Sequence, residues 1–403
     1  MLNLRAHREL WRLHDEQQRE QQQCAPPVLM KCENEYEGKQ CIINQKSMYP
    51  FRKDKIMEFE EIIEDMNVMY KAFKTSKNRR SYTISSIIFE EDVFTNLMDL
   101  QNELRDKTYQ VSGYTEFEVT KPKRRKIQAC KFRDKVVQHV LCDNVIKPLM
   151  PDICIKDNYS GQEGKGTGMA RKRIIENMKE FHSVYGNNGY VYRGDIHKYY
   201  YNINHEMAKD IMEYYMPQST HWLIDRFIDS TDGTVGLALG NQINTFVSNL
   251  YLDGLDKFIT GELGIEYYGR YADDFYLIHP SKIYLKYCEQ AIREYLGTLH
   301  LELNPKSQII PLKNGIKFTG FHYWASNRGI KINLINEKKR EHRRKFNRLY
   351  KKVLTGELTM DALERFQRSW EQHASHATDK SSLNYYHKNM QNLRKNNERK
   401  KRK

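Results

Sequence analysis

The sequence predicts an α+β fold in which amphipathic helices combine with short antiparallel strands. Apolar residues spaced three and four apart indicate helices over residues 55–76 and 91–106. Alternating side chains predict a strand over 114–119, and a run rich in aromatic and β-branched residues predicts another over 190–196. Two more strands flank residues 271–274, where adjacent aspartates are typical of a hairpin turn.

Composition narrows the class of protein. The 403 residues suffice for two or three domains, and 66 Lys and Arg against 52 Asp and Glu give a net charge of +14. Such a basic chain favours a polyanionic partner, nucleic acid first and an anionic membrane second. No apolar run is long enough to cross a bilayer, and Met1–Trp11 lacks the apolar segment of a secretion signal. Seven scattered cysteines favour reduced thiols, so we expect a cytoplasmic protein.

The hairpin Tyr271-Ala272-Asp273-Asp274 is the strongest chemical signal. Two carboxylates this close resist joint ionisation, so a cation is expected between them, and enzymes of phosphoryl transfer use a pair of Mg²⁺ ions in such places. The alternative is that Asp-Asp only makes a polar turn. Asp195 ends the strand predicted over 190–196 and supplies a third carboxylate, 78 residues before Asp273 (273 − 195).

Several weaker patterns each leave two interpretations open. The basic run at 121–126 is either a triphosphate site or a solvated charge run. The glycine-rich stretch 158–168, with Lys165, would let backbone N–H groups approach phosphate, but its spacing is not that of a Walker A loop. Cys24, Cys32 and Cys41 lack the short Cys-x-x-Cys pairs of structural zinc, which favours free thiols.

The remaining chain predicts a helix, a hairpin and a basic helical end. Ser281 is expected to cap a helix that finishes near Gly297. A second hairpin is expected over 318–334. Residues 336–403 predict helices with crowded lysines and arginines.

The order of these motifs resembles that of a reverse transcriptase, from about residue 90 to about residue 375. The YADD box at 271–274 and the stretch DIHKYY at 195–200 are the most specific parts. Other stretches are similar to the reverse transcriptases of diversity-generating retroelements and of related, often defence-associated, groups. They are KPKRRKI (121–127), RDKVVQHVL (133–141), GKGT (164–167), SNLYLDGLD (248–256) and the Ser369-Trp370…His373-Ala374 region.

The resemblance implies a right-hand polymerase fold with fingers, an antiparallel palm sheet and a helical thumb. It divides the chain into an N-terminal extension (1–50), fingers (51–187), palm (188–315), primer-grip hairpin (316–335) and a basic thumb with its tail (336–403).

The resemblance also implies roles for individual residues. The metal set is Asp195, Ile196, Asp273 and Asp274, and Lys306 joins the three aspartates as a catalytic residue that protonates pyrophosphate. Tyr200 matches a steric gate that excludes ribonucleotides, and Arg125, supported by Lys123, matches the residue that holds the triphosphate. Gly240 and Gln242 complete the expected substrate-binding set.

The implied function is an RNA-directed DNA polymerase with two Mg²⁺ ions, or Mn²⁺ in their place. It would add dNTPs to a DNA primer on a structured non-coding RNA in antiviral defence, with an accessory protein or a second copy as further partners and no membrane. Asn244-Thr245 and Gln162 depart from the Ser-Gln pair and the arginine of diversity-generating enzymes. The alternatives are a mutagenic retroelement enzyme, template-poor or protein-primed DNA synthesis, and an inert RNA-binding scaffold.

Overall fold

The described chain begins with four helices. The computed structural model describes residues 58–77, 83–120, 124–326, 329–378 and 381–401. The helices are α1 (Phe59–Glu64), α2 (Met66–Lys77), α3 (Ile84–Glu91) and α4 (Val93–Arg105). The single helix predicted over 55–76 is divided at Asp65, whose ψ of 104° leaves the helical region. Its carboxylate accepts the backbone N–H of Asn67 at 2.8 Å, a local bond that competes with helix continuation.

A two-stranded ribbon follows, and then a long helical stretch. The antiparallel strands β1 (Tyr114–Val119) and β2 (Arg125–Cys130) form the ribbon, and β1 has the predicted bounds. The helices are α5 (Phe132–Leu141), α6 (Lys147–Ile153) after a π-helical turn at Cys142–Ile146, and α7 (Thr167–Tyr185). Val136, Val140 and Ile146 of this helical stretch are buried.

A four-stranded antiparallel sheet carries the two acidic segments. The next elements are β3 (Tyr190–Asp195), α8 (Tyr199–Asn202), α9 (His205–Tyr215), α10 (Gln218–Ile228), α11 (Gln242–Tyr251), α12 (Asp253–Lys257), a π-helical turn (Phe258–Glu262), β4 (Tyr267–Tyr271), β5 (Asp274–His279), α13 (Lys282–Thr298) and β6 (Gln308–Pro311). The strand order is β4-β5-β3-β6, so β3 lies between two strands that come later in the sequence.

The described chain ends with a second sheet and three helices. These elements are β7 (Ile316–Phe318), β8 (Phe321–Ser326), β9 (Gly329–Leu334), α14 (Asn336–Thr355), α15 (Met360–Ala374) and α16 (Ser381–Lys401), with a 3₁₀ turn at Leu312–Asn314 before β7. The hairpin expected over 318–334 is present as β8 and β9, and β7 adds a third strand. The helical character expected after residue 336 is confirmed.

Both faces of the four-stranded sheet are buried. Alternate residues of a strand point to opposite faces. Tyr192 and Phe275 therefore join the large core that includes α13, whereas Val191 and Tyr276 join a second core with α7 and β7–β9. A third, smaller cluster joins α14, α15 and α16 around Phe346 and Leu363.

The structure confirms the α+β class, with small antiparallel sheets among many helices. None of the described helices has an apolar stretch long enough to cross a bilayer. The four described cysteines, Cys130, Cys142, Cys154 and Cys288, are buried free thiols. The extension 1–50, with Cys24, Cys32 and Cys41, lies outside the described residues.

Gly194 allows β3 and β5 to pack next to the acidic end of the sheet. A Cβ at this position would lie 2.1 Å from Cζ of the buried Phe275 ring. We therefore expect Gly194→Ala to lower the free energy of unfolding by about 1–3 kcal/mol, measured by chemical denaturation. Gly297→Ala is the control because its Cβ would meet nothing within 4 Å, and in a helix it should gain up to about 1 kcal/mol. Equal effects of the two changes would contradict this packing argument.

Candidate functional site

Strand register brings three aspartates to one end of the four-stranded sheet. Asp195, the last residue of β3, is paired with Asp274, the first residue of β5. Asp274 is in turn paired with Tyr271 of β4, which leaves Ala272 and Asp273 as a two-residue turn. The sequence predicted a turn at Asp273 and Asp274, whereas in the structure the turn consists of Ala272 and Asp273. Because Tyr271 pairs with Asp274, the loop between the strands has only two residues, the shortest length common in hairpins. The backbone of Asp274 is then part of the hydrogen-bond ladder between β4 and β5.

The turn is held in an unfavourable backbone conformation. Ala272 has a φ of +55°, in the left-handed region that residues with a Cβ seldom occupy. Its carbonyl oxygen accepts a hydrogen bond from Nη1 of Arg270 at 3.0 Å. Conformations of this kind persist only where the surroundings impose them. Arg270 is therefore the residue that fixes the turn carrying Asp273.

Arg270 is itself held by a buried ion pair. Its side chain is fully buried, and its Nε and Nη2 each lie 2.6 Å from a carboxylate oxygen of Asp256 in α12. Nη2 also donates to the carbonyl of Asn249 at 3.1 Å. The hydroxyl of Tyr268 and the amide of Asn158 add two further donors to Asp256, at 2.6 and 3.2 Å. A buried charge pair is tolerated only when its remaining polar atoms are satisfied in this way.

The glycine-rich stretch is joined to the same hairpin. Tyr159 donates its backbone N–H to the carbonyl of Arg270, and Arg270 donates its own to Asp157, both at 2.9 Å. Lys165, considered from sequence as a phosphate ligand, points its Nζ at the carbonyls of Ile155 and Lys156, at 3.3 and 3.2 Å. This lysine therefore stabilises the loop from inside, and we assign it no substrate contact.

Negative charge at the turn is only partly compensated. The pKa of Asp273 rises from 3.8 to about 6 because the side chain is largely removed from water and lies near Asp195 and Asp274. Arg125 opposes this increase. Asp274 has a closer cationic partner, since its Oδ1 lies 3.3 Å from Nη2 of Arg193.

Tyr200 lies beside the acidic turn. Its hydroxyl accepts a hydrogen bond from Oγ of Ser248 at 2.9 Å, and the neighbouring Tyr199 donates its own hydroxyl to the carbonyl of Ser248. Burial raises the pKa of Tyr200, Asp273 adds to the increase, and Arg125 opposes it. Arg125, at the start of β2, is exposed, and its charge acts on both Tyr200 and Asp273. Lys123, its expected support, lies outside the described residues.

The turn before α11 contacts the ribbon strand β2. Gly240 has a φ of +126°, and a Cβ there would lie 3.0 Å from the carbonyl oxygen of Gln128. Gln128 donates its backbone N–H to Leu239 at 2.9 Å. The side chain of Gln242 turns away from this contact and donates to Oδ1 of Asp143 at 3.3 Å. Gly240 thus lies where the ribbon meets the turn before α11, whereas the amide of Gln242 donates to a residue that follows α5.

Lys306 and Ile196 belong to the two chain segments that meet at Asp195. Lys306 is exposed on a loop that folds back along the end of β3, and the loop residue Asn304 contacts the Asp195 carboxylate at 2.7 Å. The Ile196 side chain is buried, and its backbone bridges to Leu303. Only the Ile196 carbonyl has the chemistry of a metal ligand.

The donor set suits a hard divalent cation. Carboxylate and carbonyl oxygens are the ligands that Mg²⁺ prefers, and the acids here repel one another without a cation. Within the described ranges, no three His, Cys, Asp or Glu side chains form a ready-made metal cluster. The three aspartates would therefore have to draw together around an ion.

Sequence reasoning missed four residues that support this site. They are Arg193, Asn304 and the pair formed by Arg270 with Asp256. The available signal was the charged Arg270 inside an apolar strand and the acids of SNLYLDGLD in an apolar helix, because buried charges require partners.

Comparison with known proteins adds no relative. No protein-family model matches the sequence, and no curated protein matches it either.

The buried pair can be tested through stability. We expect Arg270→Met to lower the free energy of unfolding by about 3–5 kcal/mol, since it leaves Asp256 buried without its cation. Arg124→Met breaks the exposed pair with Glu118 and should cost less than about 1 kcal/mol. Urea denaturation measures the free energy of unfolding of both variants. Similar losses of stability in the two would contradict a special role for the buried pair.

The crowded carboxylates predict an unusual effect of pH. Folded Asp273 binds its proton more tightly than the unfolded chain does, so its contribution to stability falls as pH rises from 3.8 to about 6. In metal-free buffer at pH 7.5, Asp273→Asn should therefore be more stable than the wild type by about 1–2 kcal/mol, after allowance for solvent screening.

This gain should largely disappear at pH 3.5, which lies below the pKa of the acid in both states. Thermal denaturation at the two pH values measures it, with the exposed Asp152→Asn as control. A pH-independent difference between Asp273→Asn and wild type would count against charge repulsion at the turn.

Proposed function

We propose that this chain is an RNA-directed DNA polymerase that extends a primer with dNTPs, using two divalent cations, Mg²⁺ by preference. The observation that supports it most directly is the register of Asp195 with Asp274, which sets Asp273 at the tip between them. Three carboxylates held at strand ends are the rigid arrangement that such chemistry needs. A scaffold protein has no use for charges that cost it stability, so we favour the enzyme over an inert RNA-binding protein.

In this proposal the described elements form a right hand. The ribbon β1–β2 and helices α1–α7 would be the fingers, the sheet β3–β6 with its helices the palm, β7–β9 the primer grip, and α14–α16 the thumb. The contact of Gly240 with Gln128 supports this arrangement, because it joins the nucleotide-holding ribbon to the palm beside the acids.

Each residue of the site then has a task. Bound cations would lower the pKa of the primer hydroxyl and neutralise the leaving pyrophosphate. Asp195 and Asp273 would hold them, and Arg125, whose charge acts on Asp273, would bind the triphosphate. Lys306 is exposed on the loop beside Asp195, and we propose that it gives a proton to pyrophosphate.

The basic helix α14 is suited to nucleic-acid phosphates. Its inner face packs His342 and Phe346 into the helical cluster, which leaves the opposite face to solvent. The exposed basic residues of the helix are Lys338, Arg340, Arg343, Arg344, Lys345, Arg348, Lys351 and Lys352. We propose that they grip template and primer backbones without reading sequence, so binding should weaken as salt increases.

For the biological role, we propose copying of a structured non-coding RNA in antiviral defence. Sequencing the nucleic acids that copurify with the protein would identify template and product. Products that match one RNA support this role. Frequent sequence changes relative to that RNA indicate a mutagenic retroelement enzyme, and products without a template match indicate template-poor synthesis.

Removal of one carboxylate tests the proposed chemistry. Asp273→Asn should reduce primer extension by more than about 100-fold, since even outer-shell partners of a metal are worth about 10- to 100-fold. Binding of primer–template, followed by fluorescence anisotropy, should be unchanged. Asp152→Asn provides the matched control, because this exposed acid lies outside the site. Normal extension by Asp273→Asn would overturn the proposal.

Sugar selection tests the place of Tyr200. Because its ring is fixed beside Asp273, its removal should open space next to the 2′ carbon of the incoming nucleotide. We expect Tyr200→Ala to reduce discrimination against ribonucleotides by about 10-fold or more, in kcat/KM for rNTP against dNTP. Tyr201→Ala, at the exposed neighbouring tyrosine, should leave the ratio unchanged. An unaltered ratio in Tyr200→Ala would remove the steric gate.

A further inference from the structure

The loop 302–307 continues the pairing of β3 beyond its last residue. His197 donates its backbone N–H to Glu302 at 2.8 Å, and Ile196 bridges to Leu303 in antiparallel fashion. Asn304 then donates its backbone N–H to the carbonyl of Asp195 at 2.7 Å. The loop therefore holds the end of β3 on the side away from β5.

The Asn304 side chain contacts both chemical groups of this region. Its Nδ2 donates to Oδ2 of Asp195 at 2.7 Å, while its Oδ1 accepts the backbone N–H of Lys306 at 3.1 Å. Pro305, between them, restricts the loop further. None of the described residues donates to the other carboxylate oxygen of Asp195, Oδ1.

We propose that Asn304 is a positioning residue that fixes the Asp195 carboxylate for metal binding and sets the loop that carries Lys306. The inference rests on the proposed function, and it assigns to Asn304 a task that none of the motifs predicted. Outer-shell donors of this kind orient a ligand and leave its free oxygen for the ion.

The chemistry of the amide explains why asparagine suits this position. It provides a donor for the carboxylate and an acceptor for the loop, which no aliphatic side chain does and which an ionised aspartate cannot do. It is also uncharged, so the full negative charge of Asp195 stays available to a cation. Asp274 differs, since the guanidinium of Arg193 already offsets part of its charge. This contrast makes Asp195 the stronger ligand of the paired acids.

Two substitutions separate the contacts of Asn304. Asn304→Ala removes both side-chain bonds, whereas Asn304→Ser keeps an oxygen able to accept the Lys306 N–H but is too short to reach the carboxylate. Asn187→Ala, at an exposed loop asparagine, is the neutral control. Thermal denaturation in metal-free buffer verifies that each variant folds.

Mn²⁺ binding, followed by the loss of its free-ion signal in electron paramagnetic resonance, is the primary measurement. We expect both Asn304 variants to bind Mn²⁺ about 10-fold more weakly than wild type. At saturating Mn²⁺, kcat for primer extension should fall while KM for primer–template stays constant, a separation that general loosening of the fold would not give.

The outcomes distinguish the two levels of the proposal. If the wild type binds Mn²⁺ and Asp273→Asn binds it equally well, the proposed function is overturned, and this inference with it. If Asp273→Asn abolishes binding but a folded Asn304→Ser matches wild type in Mn²⁺ affinity and kcat, only the role of Asn304 is overturned. A weakening by Asn187→Ala equal to that by the Asn304 variants would overturn it as well.

Discussion

The buried pair of Arg270 with Asp256 is the interaction on which the acidic end of the sheet depends. A guanidinium in the core needs hydrogen-bond partners, and each of the three nitrogens of this one donates to α12, to α11 or to the turn at Ala272. The strained turn persists because Arg270 holds its carbonyl. The position of Asp273 is thus determined by buried residues that no substrate would contact.

The fold was predictable from sequence where local patterns act alone. The alternation over 114–119 gave the bounds of β1, and the apolar spacing over 55–76 predicted the helical stretch of α1 and α2, which each bury one face. Prediction failed where distant contacts decide. The strand β6 is defined by its pairing with β3 and has little pattern of its own.

The candidate site likewise contains residues that were predictable from sequence and residues that were not. The aspartates were visible because paired acids at strand ends are chemically unusual, and the register then placed them together. Their supporting residues were not visible, because an amide 109 residues from its carboxylate carries no local signal. The same holds for Lys165, whose position in a glycine-rich loop suggested phosphate, while its actual partners are backbone carbonyls. Residue type suggested a chemistry for the site, and only the tertiary structure could show which of these residues lie together and which support them.

The strand order has a consequence for synthesis on the ribosome. Because β3 pairs with β5 and β6, one of its edges stays open in a nascent chain until His279 has been made, and the other until Pro311 has been made. Open edges of an apolar strand are sites of mispairing and aggregation. Fragments that stop before Pro311 would therefore keep such an edge permanently, so this sheet has to be produced whole.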